Sequence, residues 1–338
     1  MSADNIPESL KALDREMERQ HSDALASYEG ARQLAQDVAA RLKKSRKLLM
    51  LGMGASHAVG RAVEPLYRAM GVATFALPLS EQLGAPVHLE GWTSIVTSQS
   101  GESAEVIRWF NESCVDTSDI FGMTLGQGSS LSKRVLSFMG AGGMETAFAA
   151  TRSLTVTFAL HLAILEQLGL NPAQALAALK QPEFPDVSEA IARFQDVNAI
   201  VASGRLLNGV AEALALGLTE LSRVPSFALE GGQLRHGPME MLGSTIGVVL
   251  FRGADPTANL VTAMASSVVE AGSPLVIFDS SGLPPVEGAV TVPFKTAGGM
   301  AAIFAILPAA QRFMIGFAAG RVENAGTPLR SSKITRSE

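Results

Sequence analysis

The chain has 338 residues, enough for two ordinary domains. Hydrophobic residues make up 47% and charged residues 17%, which describes a well-buried globular protein and excludes an intrinsically disordered one. The net charge of -5 comes with no basic block, which excludes the footprint of a nucleic-acid binder, and the single cysteine, Cys114, excludes an internal disulfide framework and a cysteine-based zinc cluster.

In chain order, residues 6–45 read as helical, and the polar start of the chain carries no signal peptide, so a cytoplasmic location is expected. A strand–glycine–helix unit follows. Leu48, Leu49, Met50 and Leu51 lead into the turn Gly52-Met53-Gly54-Ala55-Ser56-His57. Val59, Ala62, Val63, Leu66, Tyr67 and Met70 then fall on one helical stripe, with Pro65 expected to kink or break the helix. Gly52, Gly54 and Gly60 lack the spacing of a dinucleotide fingerprint, and no acidic residue stands where a ribose would need it, so NAD is not expected.

The apolar run at residues 92–96 enters Thr97-Ser98-Gln99-Ser100-Gly101-Glu102-Ser103, and a helix begins at Ala104. Such a loop offers hydroxyl donors and free backbone N–H groups at a helix N-terminus, where the helix dipole favours an anion. Ser56, Ser98, Gln99, Ser100 and Ser103 are therefore candidate phosphate ligands; the plain alternative is a capped strand-to-helix turn. Further strands are read at residues 119–124 and 134–138.

The second half repeats the first. Strands are read near residues 199, 246, 274 and 289, against 48, 94, 119 and 134, giving steps of 47, 28 and 15 residues against 46, 25 and 15. The stripe Val210, Ala213, Leu214, Gly217, Leu218 and Leu221 matches the first helix. Short apolar strands alternating with amphipathic helices predict two doubly wound, three-layer α/β domains in tandem, each with a parallel sheet. The expected divisions are a helical arm at 1–28, a first domain at 29–175, a second at 190–324 and a tail at 325–338, with prolines 172, 182 and 185 marking the linker. The apolar run at 298–320 contains Pro308, Gln311 and Arg312, which predicts a buried core or interface helix and no membrane span.

Three residues outside the loop could do chemistry. Glu220 lies at the end of a helix, His236 stands in a His-Gly-Pro turn, and Lys333 lies in the polar tail. Glu and His are the usual proton carriers near neutral pH, and a lysine can meet a carbonyl or phosphate. The five histidines show no ligand spacing, so neither metal nor organic cofactor is expected.

Together these motifs resemble the tandem sugar-isomerase (SIS) family, and within it the isomerase half of glucosamine-6-phosphate synthases. The resemblance runs from about residue 30 to 336. It rests on Gly54-Ala55-Ser56, Ser98-Gln99-Ser100-Gly101-Glu102-Ser103, the segment from Glu145 to Arg152, Leu218-Thr219-Glu220, His236-Gly237-Pro238 and the tail from Pro328 to Thr335, in that order. It implies a flavodoxin-like fold and a sugar phosphate held on Ser98, Gln99, Ser100 and Ser103, with Ser56 nearby. It gives Glu220 the proton shuttle between C1 and C2, His236 the opening of the sugar ring from a partner subunit in a homodimer, and Lys333 the open-chain carbonyl. Phe148, Ala150 and Ser332 would line the sugar.

Two departures stand out. Ala150 replaces a family serine, and Gly217 stands where the synthases carry a lysine. A glutaminase domain to supply ammonia is not expected from the motifs of this sequence. These features favour a phosphosugar isomerase or deaminase converting glucosamine 6-phosphate to fructose 6-phosphate and ammonia. The alternatives are a fructosamine-6-phosphate deglycase and, from another class, a non-catalytic sugar-phosphate sensor.

Overall fold

A computed structural model of the chain describes residues 7–113 and 116–336; Cys114 lies outside the described residues. The chain divides into two compact units. The first holds Glu16–Ala173 and the tail from Pro328; the second holds Gln174–Thr327 and the start of the first helix up to Arg15.

The first helix, α1 (Glu8–Ser45), is continuous. The arm boundary expected at residue 28 falls inside it. From Glu16 onward it is already part of the first unit, burying Ala24, Tyr28, Ala31, Ala35, Val38 and Leu42 along one face. The rest of that unit runs β1 (Lys47–Gly52), α2 (Gly54–Ala69), β2 (Ala73–Pro78), α3 (Glu81–Gly84), β3 (Thr93–Thr97), α4 (Ala104–Glu112), β4 (Ile120–Thr124), α5 (Ser130–Arg134), β5 (Ser137–Met139) and α6 (Arg152–Leu168). Its sheet is parallel, with strand order β2-β1-β3-β4-β5. Leu49, Leu51, Val96 and Ile120 pack against Trp109 and Phe110 to form one core cluster.

The second unit runs α7 (Ala173–Lys180), α8 (Ser188–Arg193), β6 (Ala199–Gly204), α9 (Asn208–Ser222), β7 (Ser226–Glu230), α10 (Gly231–Arg235), β8 (Ile246–Gly253), α11 (Ala258–Glu270), β9 (Leu275–Ser280), β10 (Val290–Pro293) and α12 (Gly299–Arg321). Its parallel sheet has the order β10-β9-β8-β6-β7, the same arrangement of successive strands as the first. By length and composition α12 could cross a membrane, but 83% of its apolar window is buried. It packs against α8, α9 and β9 as the core helix of its unit.

Three expectations are corrected. Each sheet has five strands where four are expected, the additional ones being β2 and β7. Phe75 and Phe227 in them are 52% and 40% exposed, β7 holds no fully buried residue, and no long apolar run marks either strand. The strand expected at 134–138 shifts to Ser137–Met139, because Ser129 accepts a hydrogen bond from the Ser132 N–H and caps α5, which holds Arg134 in a helix. Finally, α2 runs through Pro65 without a break.

Candidate active site

In an open parallel sheet, ligands bind beyond the carboxyl ends of the strands, where the strand order reverses. In the first unit that point lies between β1 and β3, whose last residues Gly52 and Thr97 are direct neighbours. Helix α2 starts so close to β1 that a Cβ on Gly52 would lie 3.0 Å from the Ser56 carbonyl carbon, and Gly54 turns the chain at φ +52°. This places Ser56, almost fully buried, in the first turn of α2.

The loop after β3 is held by its own side chains. Ser98 Oγ lies 3.0 Å from Ser103 Oγ and accepts the Gly101 N–H, while Ser100 Oγ accepts the Glu102 N–H. Gly101 sits at φ +66°, and a Cβ there would lie 2.1 Å from Ser129 Oγ, so no other residue fits. The Gln99 carbonyl is held by the Leu125 N–H, and its side-chain Nε2 is buried without a partner. Ser98 and Ser103 thus meet just before α4, Ser100 lies between them on the same loop, and Ser56 follows the neighbouring strand β1. Glu102 takes no part in this cradle. Its carboxylate accepts the Ser130 N–H at 2.7 Å and the Ser130 hydroxyl at 2.8 Å, and so caps α5. His57, next to Ser56, is pushed below its ordinary pKa by burial, so near neutral pH it brings no charge to this turn.

The tail docks on the same unit. The Ala104 N–H, first in α4, donates to the Thr335 carbonyl at 2.9 Å. Lys333 Nζ lies 3.1 Å from Glu145 Oε2. The Glu145 side chain is 1% exposed, and it also accepts the Thr151 N–H and hydroxyl, both at 2.9 Å, and the Ser153 hydroxyl. Phe148 and Ala150 lie between these partners and are half-buried. Ser332 is exposed, and its hydroxyl donates to the Ile334 carbonyl. The sequence reading gave Glu145 no role; its place six residues before Thr151 in the quoted segment was the available signal.

Arg152, at the end of the segment that begins at Glu145, is fully buried and structural. It binds Glu16 at 2.6 Å, Asp23 at 3.2 Å and the carbonyls of Ala141 and Gly143, tying α6 to α1.

In the second unit, Glu220 is half-buried in the last turn of α9. Gly217 is buried against α12, where a Cβ would lie 2.3 Å from Met314 Sδ, so α12 fills the space a lysine would need. His236 is exposed just after α10, and Gly237 follows at φ +108°, a conformation that glycine adopts without penalty. The second unit carries an internal ion pair near the ends of β8 and β9. Arg252 is fully buried and grips Asp279 with two bonds of 3.0 and 2.7 Å. Among the described residues no group of three or more His, Cys, Asp or Glu could hold a metal ion.

No family model matches the chain. It is 30% identical over 176 residues, 46% of its length, to glutamine–fructose-6-phosphate aminotransferase (isomerizing) of Clostridium perfringens, covering 28% of that protein. It is 28% identical over 221 residues to the same-named protein of Thermotoga maritima, covering 59% of this chain and 36% of the relative. The chain thus spans about a third of the length of the curated relatives it matches. Among solved structures it resembles the C-terminal domain of glucosamine-fructose-6-phosphate aminotransferase from Francisella tularensis, with TM-score 0.78, 18% identity and coverage of 92% and 96% of the two chains. The corresponding values are 0.77, 17%, 95% and 97% for tagatose-6-phosphate ketose/aldose isomerase from Escherichia coli. For glucosamine-6-phosphate deaminase from Thermotoga maritima they are 0.70, 18%, 92% and 99%. The two parallel five-stranded sheets with flanking helices are an SIS-like α/β fold.

Proposed function

We propose that the chain is a phosphosugar isomerase or ammonia-releasing deaminase acting on an amino-sugar or ketose 6-phosphate, with glucosamine 6-phosphate as the first substrate to test. The observation that carries this reading is the loop at 98–103. It carries three serine hydroxyls, those of Ser98 and Ser103 3.0 Å apart, just before a nine-residue helix at the reversal point of a parallel sheet. Uncharged donors plus the helix dipole suit a phosphate monoester. The fold likeness to proteins described as phosphosugar isomerases and a deaminase supports the same class.

In this reading the phosphate is anchored by Ser98, Gln99, Ser100 and Ser103, with Ser56 beside them. His236 protonates the ring oxygen as the sugar opens. Glu220 takes the proton from C2 and returns it to C1 through an enolamine, so that the C2 amine becomes an imine. Water adds at C2, the C–N bond breaks, and fructose 6-phosphate and ammonia leave. The work asked of Glu220 is one positioned proton transfer. Lys333, held by Glu145, meets the open-chain carbonyl. The reading includes a homodimer in which His236 serves the partner's site, and a solution mass of one chain would remove that part.

The test is incubation with glucosamine 6-phosphate, following ammonia and fructose 6-phosphate together. Stoichiometric release, abolished in Glu220→Gln, is the expected result. Equal rates in both proteins would remove Glu220 from the mechanism, and tight sugar-phosphate binding with no turnover of glucosamine 6-phosphate, tagatose 6-phosphate or a fructosamine 6-phosphate would overturn the enzyme reading.

A further inference from the structure

His236 is exposed, yet the turn that carries it is tightly specified from within the second unit. It follows the five-residue helix α10, which begins at the end of edge strand β7. Helices this short do not hold their own orientation in water, so something else fixes it.

Three features do so. The Glu230 carboxylate caps α10, with Oε2 accepting the Gly232 N–H at 2.7 Å and the Gln233 N–H at 3.3 Å. Its other oxygen accepts Arg205 Nη1 at 2.9 Å. Arg205 comes from the end of the neighbouring strand, just after Gly204, which is in register with Glu230. Gly231 and Gly232 leave room for that guanidinium: a Cβ on the first would lie 2.9 Å from Arg205 Nε, and on the second 3.0 Å from Nη1 and 2.9 Å from Glu230 Oε2. Leu234, fully buried, anchors the opposite side of the turn in the core. The His236 N–H then closes on the Gln233 carbonyl at 3.2 Å.

As a stabilising element the pair is poor. Arg205 is 21% exposed and Glu230 35%, and Arg205 Nε is buried without a partner. We infer that Arg205 and Glu230 are positioning residues for His236: the ion pair sets the orientation of α10, and through it the direction from which the imidazole reaches a sugar ring oxygen. This rests on the ring-opening role proposed for His236.

The experiment compares E230Q, R205M, R205K and H236N. With glucosamine 6-phosphate, E230Q and R205M are expected to lower kcat roughly tenfold or more at unchanged KM, and R205K to recover part of the loss. Adding either change to H236N should cost nothing further, because all three act on one step. Affinity for an open-chain polyol phosphate, glucitol 6-phosphate, should stay within about twofold of wild type, since that ligand has no ring to open. Wild-type kcat in E230Q and R205M, losses that multiply with H236N, or weakened glucitol 6-phosphate binding would each overturn the inference. Amide exchange across residues 231–236 separates this from the functional reading. It should accelerate in R205M and E230Q and nowhere else, whether or not the wild type turns over any sugar phosphate. Unchanged exchange there would refute the positioning role on its own.

Discussion

Lys333 Nζ and the Glu145 carboxylate form an ion pair at 3.1 Å, joining an exposed tail to one of the most buried acids of the first unit. The two partners are unequal. Glu145 keeps the Thr151 and Ser153 donors if Lys333 is removed, whereas removing Glu145 strips a partner from all of them. Each buried donor left without an acceptor costs about 1–3 kcal/mol. Glu145→Ala is therefore expected to destabilise the fold by about 3 kcal/mol, and Lys333→Met, which leaves the buried carboxylate its N–H and hydroxyl donors, by less, in urea unfolding. Equal losses would show that the pair, and not the network around Glu145, carries the energy.

The serine loop predicts a graded loss of phosphate affinity. Hydrogen bonds to a charged group contribute about 1.5–3 kcal/mol each, so Ser98→Ala and Ser103→Ala should each weaken sugar-phosphate binding by roughly ten- to a hundredfold. Gly101→Ala should act more severely, because it combines a left-handed conformation with a 2.1 Å approach to Ser129 Oγ. Calorimetric titration with fructose 6-phosphate measures all three, and wild-type affinity in the serine variants would return the loop to a plain capped turn.

Removing a general acid or base lowers the rate by about 10²–10⁴-fold, so Glu220→Gln and His236→Asn should lose activity on that scale while still binding substrate. Single-turnover rates with saturating substrate, set beside binding constants, separate the two effects. A variant that loses binding and rate in proportion would place its residue in recognition.

A buried histidine makes stability fall in acid. His161 and Tyr67 are both fully buried, with Tyr67 Oη 3.0 Å from His161 Nδ1, and burial pushes His161 down to about 3. The folded-state value lies below the unfolded one, so the unfolded chain takes up the proton first. The contribution is complete above about pH 6.5 and is lost as pH falls from there toward 3. The slope for one such group is at most ~1.4 kcal/mol per pH unit. His57 and His21, also lowered by burial, act in the same direction. Urea midpoints at pH 7.5 and 5.0 should differ less in His161→Gln than in wild type.

Much of the architecture could be read from one dimension. Helix stripes of period 3.6 and short apolar strands recur with matching steps, so the doubling into two parallel sheets is legible in the sequence. The self-bonded serine loop after β3 was visible too, because it is a local device made by consecutive residues. Strands β2 and β7 were missed because their partly open faces, with Phe75 and Phe227 exposed, leave them without the continuous apolar run of the central strands.

By itself, then, the sequence determined what depends on neighbours along the chain: periodic elements, their order, and the loop that follows β3. Tertiary structure decided which distant groups meet. Lys333 finds Glu145 across 188 residues, Arg152 finds Glu16 across 136, and Gly217 is fixed by Met314 on a different helix. Arg205 meets Glu230 only because β6 and β7 lie side by side in one register. Such pairings leave no periodic trace in the chain, since they arise from strand order and helix packing, which bring together residues that local sequence does not relate.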